Sequence, residues 1–226
     1  MPRALDLVNL LPDGRVSWDA AFALQGEAEA RVKAGGRETL FLLEHEDVIT
    51  VGRNAGLGEL LVSEDFLLQR GVALRVADRG GRLTFHGPGQ LVAYPVLDLA
   101  RGRRDVRRYV CDLEETLIRT ARDFGVTAAR SPAPERKASI WVGNDKLAAI
   151  GVHLSRWVTT HGAALNVSTD LARFSLFIPC GIADGGVTSL SRETPDKKTP
   201  PALPEVAECF VSHFLKVFDR EKGETP

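Results

Sequence analysis

The sequence predicts an α+β fold, a mixed β-sheet core with flanking helices. Two observations predict it: β-branched or apolar runs of strand length recur from end to end, and the amphipathic helices between them fall irregularly, without a βαβα alternation. A third is size and composition. The 226 residues are 44% hydrophobic and 26% charged, ordinary for a globular chain and enough to bury a core without staples. One domain over residues 1–226 is the expectation.

Residues 4–10 alternate weakly and read as a strand. Ser17 is an N-cap for a helix running to about Lys33, which Gly35-Gly36 stop. Residues 38–44 (ETLFLLE) and 48–52 (VITVG) are strands around a turn at His45-Glu46-Asp47. Ser63 opens a short helix closed by Gly71, and residues 72–77 and 91–97 are further strands. Asp105 starts the clearest helix: Val106, Tyr109, Val110, Leu113, Leu117, Ala121 and Phe124 share one face, and Gly125 ends it. Residues 126–129, 138–142, 147–154 and 157–167 read as strands, with a hairpin turn at Asn144-Asp145. A Pro-rich linker near 194–204 leads to a C-terminal helix at about 205–219, with Val206, Phe210, Phe214, Val217 and Phe218 on its apolar side.

Charge excludes one class of partner. Lys and Arg number 29 against 30 Asp and Glu, so there is no basic excess for wrapping nucleic acid. Three Cys without a C-x-x-C spacing argue against a disulfide framework and a zinc site, and no His spacing supports a metal. The longest stretch free of Asp, Glu, Lys and Arg, residues 83–97, is too short to span a bilayer, and the N-terminus is no signal peptide. The expectation is a cytoplasmic protein with free thiols, no membrane contact, no cofactor, no metal and a monomeric state.

Three Gly-rich segments without carboxylates stand out. Residues 79–90 (RGGRLTFHGPGQ) hold four Gly and one Pro in twelve residues, too many for a regular element; they suit a turn or close backbone approach to a ligand. Neither phosphate-loop spacing is met. In the second segment Lys146 precedes a small, apolar strand (LAAIGV), as a solvated end charge or, if turned inward, a proton carrier. In the third, Cys180 lies between Pro179 and Gly181, outside any periodic core face, whereas Cys111 and Cys209 sit in amphipathic helices and read as packing residues. His86 and His161 each precede a Gly in uncharged surroundings and either line a site or fix a loop. Spacing alone does not choose between His and Lys as the partner of Cys180.

These segments, in this order, resemble the octanoyltransferases of lipoate biosynthesis. The matching pieces are LLEHEDVITVGR at 42–53, DRGGRLTFHGPGQLVAYPVLDL at 78–99, KLAAIGVHLSRWVTTHGAALNV at 146–167 and FIPCGI at 177–182. The resemblance implies a fold similar to the catalytic domains of biotin and lipoate protein ligases. It implies transfer of an octanoyl chain from octanoyl-acyl carrier protein, through a cysteine thioester, to a lysine of a lipoyl domain, whether of 2-oxoacid dehydrogenases or of glycine cleavage H protein. It implies that Cys180 is the nucleophile and Lys146 its proton partner. The substrate-binding residues it implies are Arg79, Gly80, Gly81, Arg82, Leu83, Thr84, Phe85 and His86, with Ala149, Ile150, Gly151, Gly162, Ala163 and Ala164. Small residues at 148, 149, 151 and 162–164 would leave room for an eight-carbon chain, worth about 0.8 kcal/mol per buried CH₂. The match departs at Lys137-Ala138-Ser139, where a motif nearer R-x-G is expected before Trp141.

Two other readings compete. An ATP-dependent lipoate- or biotin-protein ligase shares the fold but has no need of Cys180. A noncatalytic module for acyl carriers or lipoyl domains would bind without a covalent adduct. The arginines at 101, 103, 104, 107 and 108 form a basic cluster that fits either an acidic carrier or a solvated helix start.

Overall fold

The computed structural model describes residues 3–102, 104–131, 138–178, 185–196 and 200–223. Among them eleven strands are β1 (Arg3–Asn9), β2 (Glu38–Leu43), β3 (Val48–Val51), β4 (Ala73–Val76), β5 (Leu83–His86), β6 (Gln90–Val96), β7 (Ala129–Arg130), β8 (Ser139–Val142), β9 (Asp145–Ser155), β10 (Val158–Asn166) and β11 (Arg220–Lys222). The α-helices are α1 (Trp18–Lys33), α2 (Glu64–Gln69), α3 (Val106–Asp123), α4 (Leu190–Glu193) and α5 (Leu203–Val217).

Eight strands form one sheet in the order β11-β1-β2-β6-β10-β9-β8-β7, and three form a second in the order β4-β3-β5. β1 runs parallel to β2 and β11, and β3 parallel to β4; the other pairs are antiparallel, so the expected mixed sheet is present.

The central strands are buried on both faces, and strand alternation divides their side chains between two cores. Leu40, Leu42, Leu91, Ala93 and Leu165 join Leu113, Leu117, Phe210 and Phe214 of α3 and α5. Phe41, Leu43, Val92, Tyr94 and Val96 face the other way, onto Trp18, Ala21, Ala28 and Val32 of α1. A third core, with Ile49, Leu83, Phe85, Phe174 and Phe177, lies under the small sheet.

Helix starts follow their capping residues. Ser17, Ser63 and Asp105 each accept a backbone N–H from three residues on. Several expectations need correction. The segment 79–90 is not wholly irregular: β5 lies inside it, because Leu83 and Phe85 fill the third core and the main chain pairs with β3. Residues 126–128 are not a strand; only Ala129 and Arg130 pair, with β8. Pro204 is not linker but sits in the first turn of α5, where a missing N–H costs nothing. Residues 197–199 of the expected linker lie outside the described residues. Val106 and Cys111 are exposed on α3, since the buried face runs through Tyr109, Leu113, Leu117 and Ala121. Cys111 is therefore no packing residue.

Candidate active site

The site is built where the two sheets meet. β9 and β10 pair in antiparallel register, with Ala149 opposite Ala164 and Gly151 opposite Gly162. Gly80 N–H donates to the Val152 carbonyl (3.0 Å) and so brings the 79–82 turn to β9. The same turn is latched to the chain after β3. Arg53 N–H donates to Arg79 O, Asn54 N–H to Gly81 O, and Gly52 N–H to Arg82 O. The approach is so close that a Cβ on Gly52 would collide with the Gly81 carbonyl, and Gly81 itself has φ +86°.

Between turn and strands lies a cavity of about 120 Å³. Its rim carries Arg79, Gly80, Gly81, Arg82, Leu83, Thr84 and His86, and its wall carries Ala149, Ile150, Gly151, Gly162, Ala163 and Ala164. Lys146 lines this cavity and also a second, smaller one, with Gln90, Asn166, Phe177 and Val187. The predicted substrate-binding residues are thus brought together, with one exception. Phe85 points into the third core, edge-on to Phe174. The wall is also more selective than its small residues suggest. Ala148, Ile150 and Ala163 turn their side chains into the helix-side core, leaving Ala149 and Ala164 toward the cavity. Gly162 is small for another reason: its Cβ would strike the Ala93 carbonyl and Pro95 of β6.

Lys146 stands second in β9. Its N–H donates to Gly186 O and its carbonyl accepts from Thr188 N–H, both at 2.9 Å. Its Nζ is 5.2 Å from the centre of the Trp141 ring. Cys180 lies outside the described residues. The described chain on either side of it, at Phe177 and Val187, lines the second cavity with Lys146.

A buried aromatic and imidazole cluster backs the cavity. Trp18 stacks on His86 and His161 at centroid separations of 6.0 and 5.7 Å, and His45 lies 5.6 Å from His86. Hydrogen bonds assign the tautomers. His45 Nδ1–H donates to Val16 O (2.8 Å), so Nε2 accepts from the Tyr94 hydroxyl (2.8 Å). Burial drives the His45 pKa down to about 4 and the Tyr94 pKa upward, keeping both neutral. Burial, then the neighbouring His45 and Arg79, hold His86 well below the usual range. Burial also lowers His161, against the opposing pull of Asp78, whose Oδ1 is 2.6 Å from His161 Nε2. Arg79 is itself buried and donates to Thr50 O and Oγ1 at 2.9 and 2.6 Å. Trp18 and Tyr94 also line the cavity, although their sequence context does not single them out. One opens a helix and the other sits in an apolar strand, and neither pattern signals a cavity.

The basic cluster is partly neutralised. Arg101 pairs with Asp98, Arg108 with Asp112, and the Arg104 guanidinium lies over the Trp157 ring. Arg103 lies outside the described residues.

Architecture defines the class first: an α+β domain with the lipoate-ligase fold. Lipoate-protein ligase A bound with ATP aligns over 100% of this chain and 89% of its own, with TM-score 0.78 at 17% identity. The bipartite lipoate protein ligase of Thermoplasma acidophilum gives TM-score 0.74 at 17% identity, over 100% of this chain and 87% of that one. At such identity these show the fold alone. The family model of the lipoyl protein ligase A/B catalytic domain matches residues 19–215. The octanoyltransferase of Solibacter usitatus is 47% identical over 209 residues, 92% of this chain and 91% of that protein. The chain belongs to the lipoyl protein ligase A/B catalytic domain family, on its octanoyltransferase branch, whose activity is octanoyl transfer in protein lipoylation.

Proposed function

We propose that this chain takes octanoyl from the thioester of an acyl carrier protein onto Cys180 and passes it to a lysine of a lipoyl domain, with Lys146 moving the proton. The observation that carries this reading is the position of Lys146. It lines a cavity together with Ala149 and Ala164, and it lines the second cavity with Phe177 and Val187, which lie on either side of the Cys180 segment.

The chemistry follows from the two side chains. An adjacent ammonium lowers a thiol pKa from its ordinary value of about 8.5, so the pair favours thiolate and ammonium. The Cys180 thiolate attacks the thioester carbonyl, the carrier sulfur leaves, and Lys146 gives it a proton. The Lys146 amine, now neutral, takes a proton from the incoming lysine as its nitrogen attacks the Cys180 thioester. The amide forms, the Cys180 thiolate leaves, and the starting ion pair is restored. Thioester exchange is nearly balanced and amide formation is downhill, so no ATP enters. Arg79 to Thr84 and His86 hold the donor, and Ala149 and Ala164 flank the acyl chain.

Intact-mass spectrometry after incubation with octanoyl carrier protein, without ATP, tests this. The native chain should gain one octanoyl group and Cys180→Ser none. Absence of the adduct from the native chain overturns the reading, and ATP-dependent turnover by Cys180→Ser would favour a ligase.

A further inference from the structure

Beside the cavity runs a chain of buried hydrogen bonds whose side-chain links sheet pairing does not require; only its last link, at Lys146, is a bridge between strands. His86 Nδ1 is 2.8 Å from Gln90 Oε1. Gln90 Nε2 donates to Phe85 O (3.2 Å) and to Asn166 Oδ1 (2.9 Å). Asn166 Nδ2 donates to Thr188 O (3.0 Å), and Thr188 N–H donates to the Lys146 carbonyl. Gln90, Asn166 and Thr188 are all at most 4% exposed. Gln90 and Asn166 face each other across β6 and β10.

The chain has one polarity. Both Gln90 donors are committed to oxygens, so its Oε1 faces His86 and can only accept. His86 must therefore carry its proton on Nδ1. Its Nε2 is then an acceptor, on a ring that lines the cavity. A free neutral imidazole favours the opposite tautomer, so this state is imposed. At its other end the chain ties down the residue that follows the Cys180 segment and, through it, the main chain of Lys146.

We propose that Gln90 and Asn166 are positioning residues: a buried amide pair that presents His86 to the substrate as an acceptor through Nε2 and locks the Lys146 strand to the same frame. The acceptor suits an N–H donor of the substrate, either an amide of the donor's thioester arm or the incoming lysine amine. The link to Lys146 rests on the proton role proposed above; the tautomer of His86 does not.

Side-chain nitrogen NMR of ¹⁵N-histidine protein near neutral pH reads the tautomer, with the His86 signal identified by its loss in His86→Gln. The native chain should show His86 protonated on Nδ1. Gln90→Met, which keeps the length without the hydrogen bonds, should move that proton to Nε2. It should also lower the rate of Cys180 acylation about tenfold, the order expected for one buried hydrogen bond. Asn166→Asp keeps the acceptor for Gln90 but sets a carboxylate against Thr188 O. It should leave the His86 tautomer unchanged and still slow acylation. A purely structural role predicts lower thermal stability with tautomer and rate unaltered, and that result overturns the proposal. So does a native His86 protonated on Nε2, or a switched tautomer with an unchanged rate. If the native chain forms no adduct at all, the acyl-transfer reading fails while the tautomer result still judges the amide pair.

Discussion

Ala149 and Ala164 face each other across β9 and β10 on the cavity side, whereas Ala163, one residue along, belongs to the helix-side core. That difference decides which residue sets acyl-chain length. Ala149→Leu adds three heavy atoms to the slot and should reduce octanoyl transfer more than butyryl transfer. Each displaced methylene is worth about 0.8 kcal/mol, about fourfold in kcat/KM. Steady-state kinetics with the two chain lengths check it, and an equal loss for both would locate the acyl chain elsewhere. Adjacent small residues looked alike in the linear pattern. Gly162 is small because β6 leaves no room for a Cβ, while Gly151 is small because Arg79 Cδ would lie 2.9 Å from one. Only the neighbours across the strand separate such cases.

At the scale of elements, every helix but the single turn α4 was legible because the signals are local: a cap, a periodicity and a stop within one segment. Ser17, Ser63 and Asp105 cap as read. Strands that pair across long separations were legible only when their own pattern was apolar. β5 hid within a glycine-rich run, and β11 is the charged tripeptide Arg220–Lys222, whose place depends on parallel pairing with β1. A buried ion pair holds β11 there. Arg220 Nε lies 2.6 Å from Glu38 Oε2, and both side chains are under a tenth exposed. The remaining donors to Glu38 are the Asp98 N–H at 3.0 Å and Arg3 at 3.4 Å. Arg220→Ala leaves this carboxylate short of its main partner and should cost about 2–3 kcal/mol. Urea unfolding measures it. A loss of a few tenths would mean the pair behaves as an exposed one.

The junction of the whole molecule is its imidazole cluster, where α1, the large sheet and the small sheet bring Trp18, His45, Tyr94, His86 and His161 together. Its histidines are buried and neutral, which sets an acid limit on the fold. For His45 the folded pKa, about 4, is below the unfolded value of 6.5. Between these values the unfolded chain binds more protons, so stability falls as pH falls from about 6.5 toward about 4. At full extent this one group removes about 3 kcal/mol, and His86 and His161 shift in the same direction. The melting temperature should decline across that window, and His45→Gln should flatten the decline. A profile unchanged in the variant would show that His45 is not the group responsible.

The sequence by itself determined the α+β class, the capped helices, the apolar strands and the ordered segments that fill the cavity rim and wall, because each rests on chemistry within a few adjacent residues. Tertiary structure alone decided which small residues face the cavity, that Phe85 turns away from it, that Trp18 and Tyr94 line it, and that Gln90 and Asn166 line the smaller one. Those outcomes depend on contacts between different segments of the chain, such as Gln90 with Asn166. A hydrogen bond between two amides on different strands leaves no periodicity in either of them.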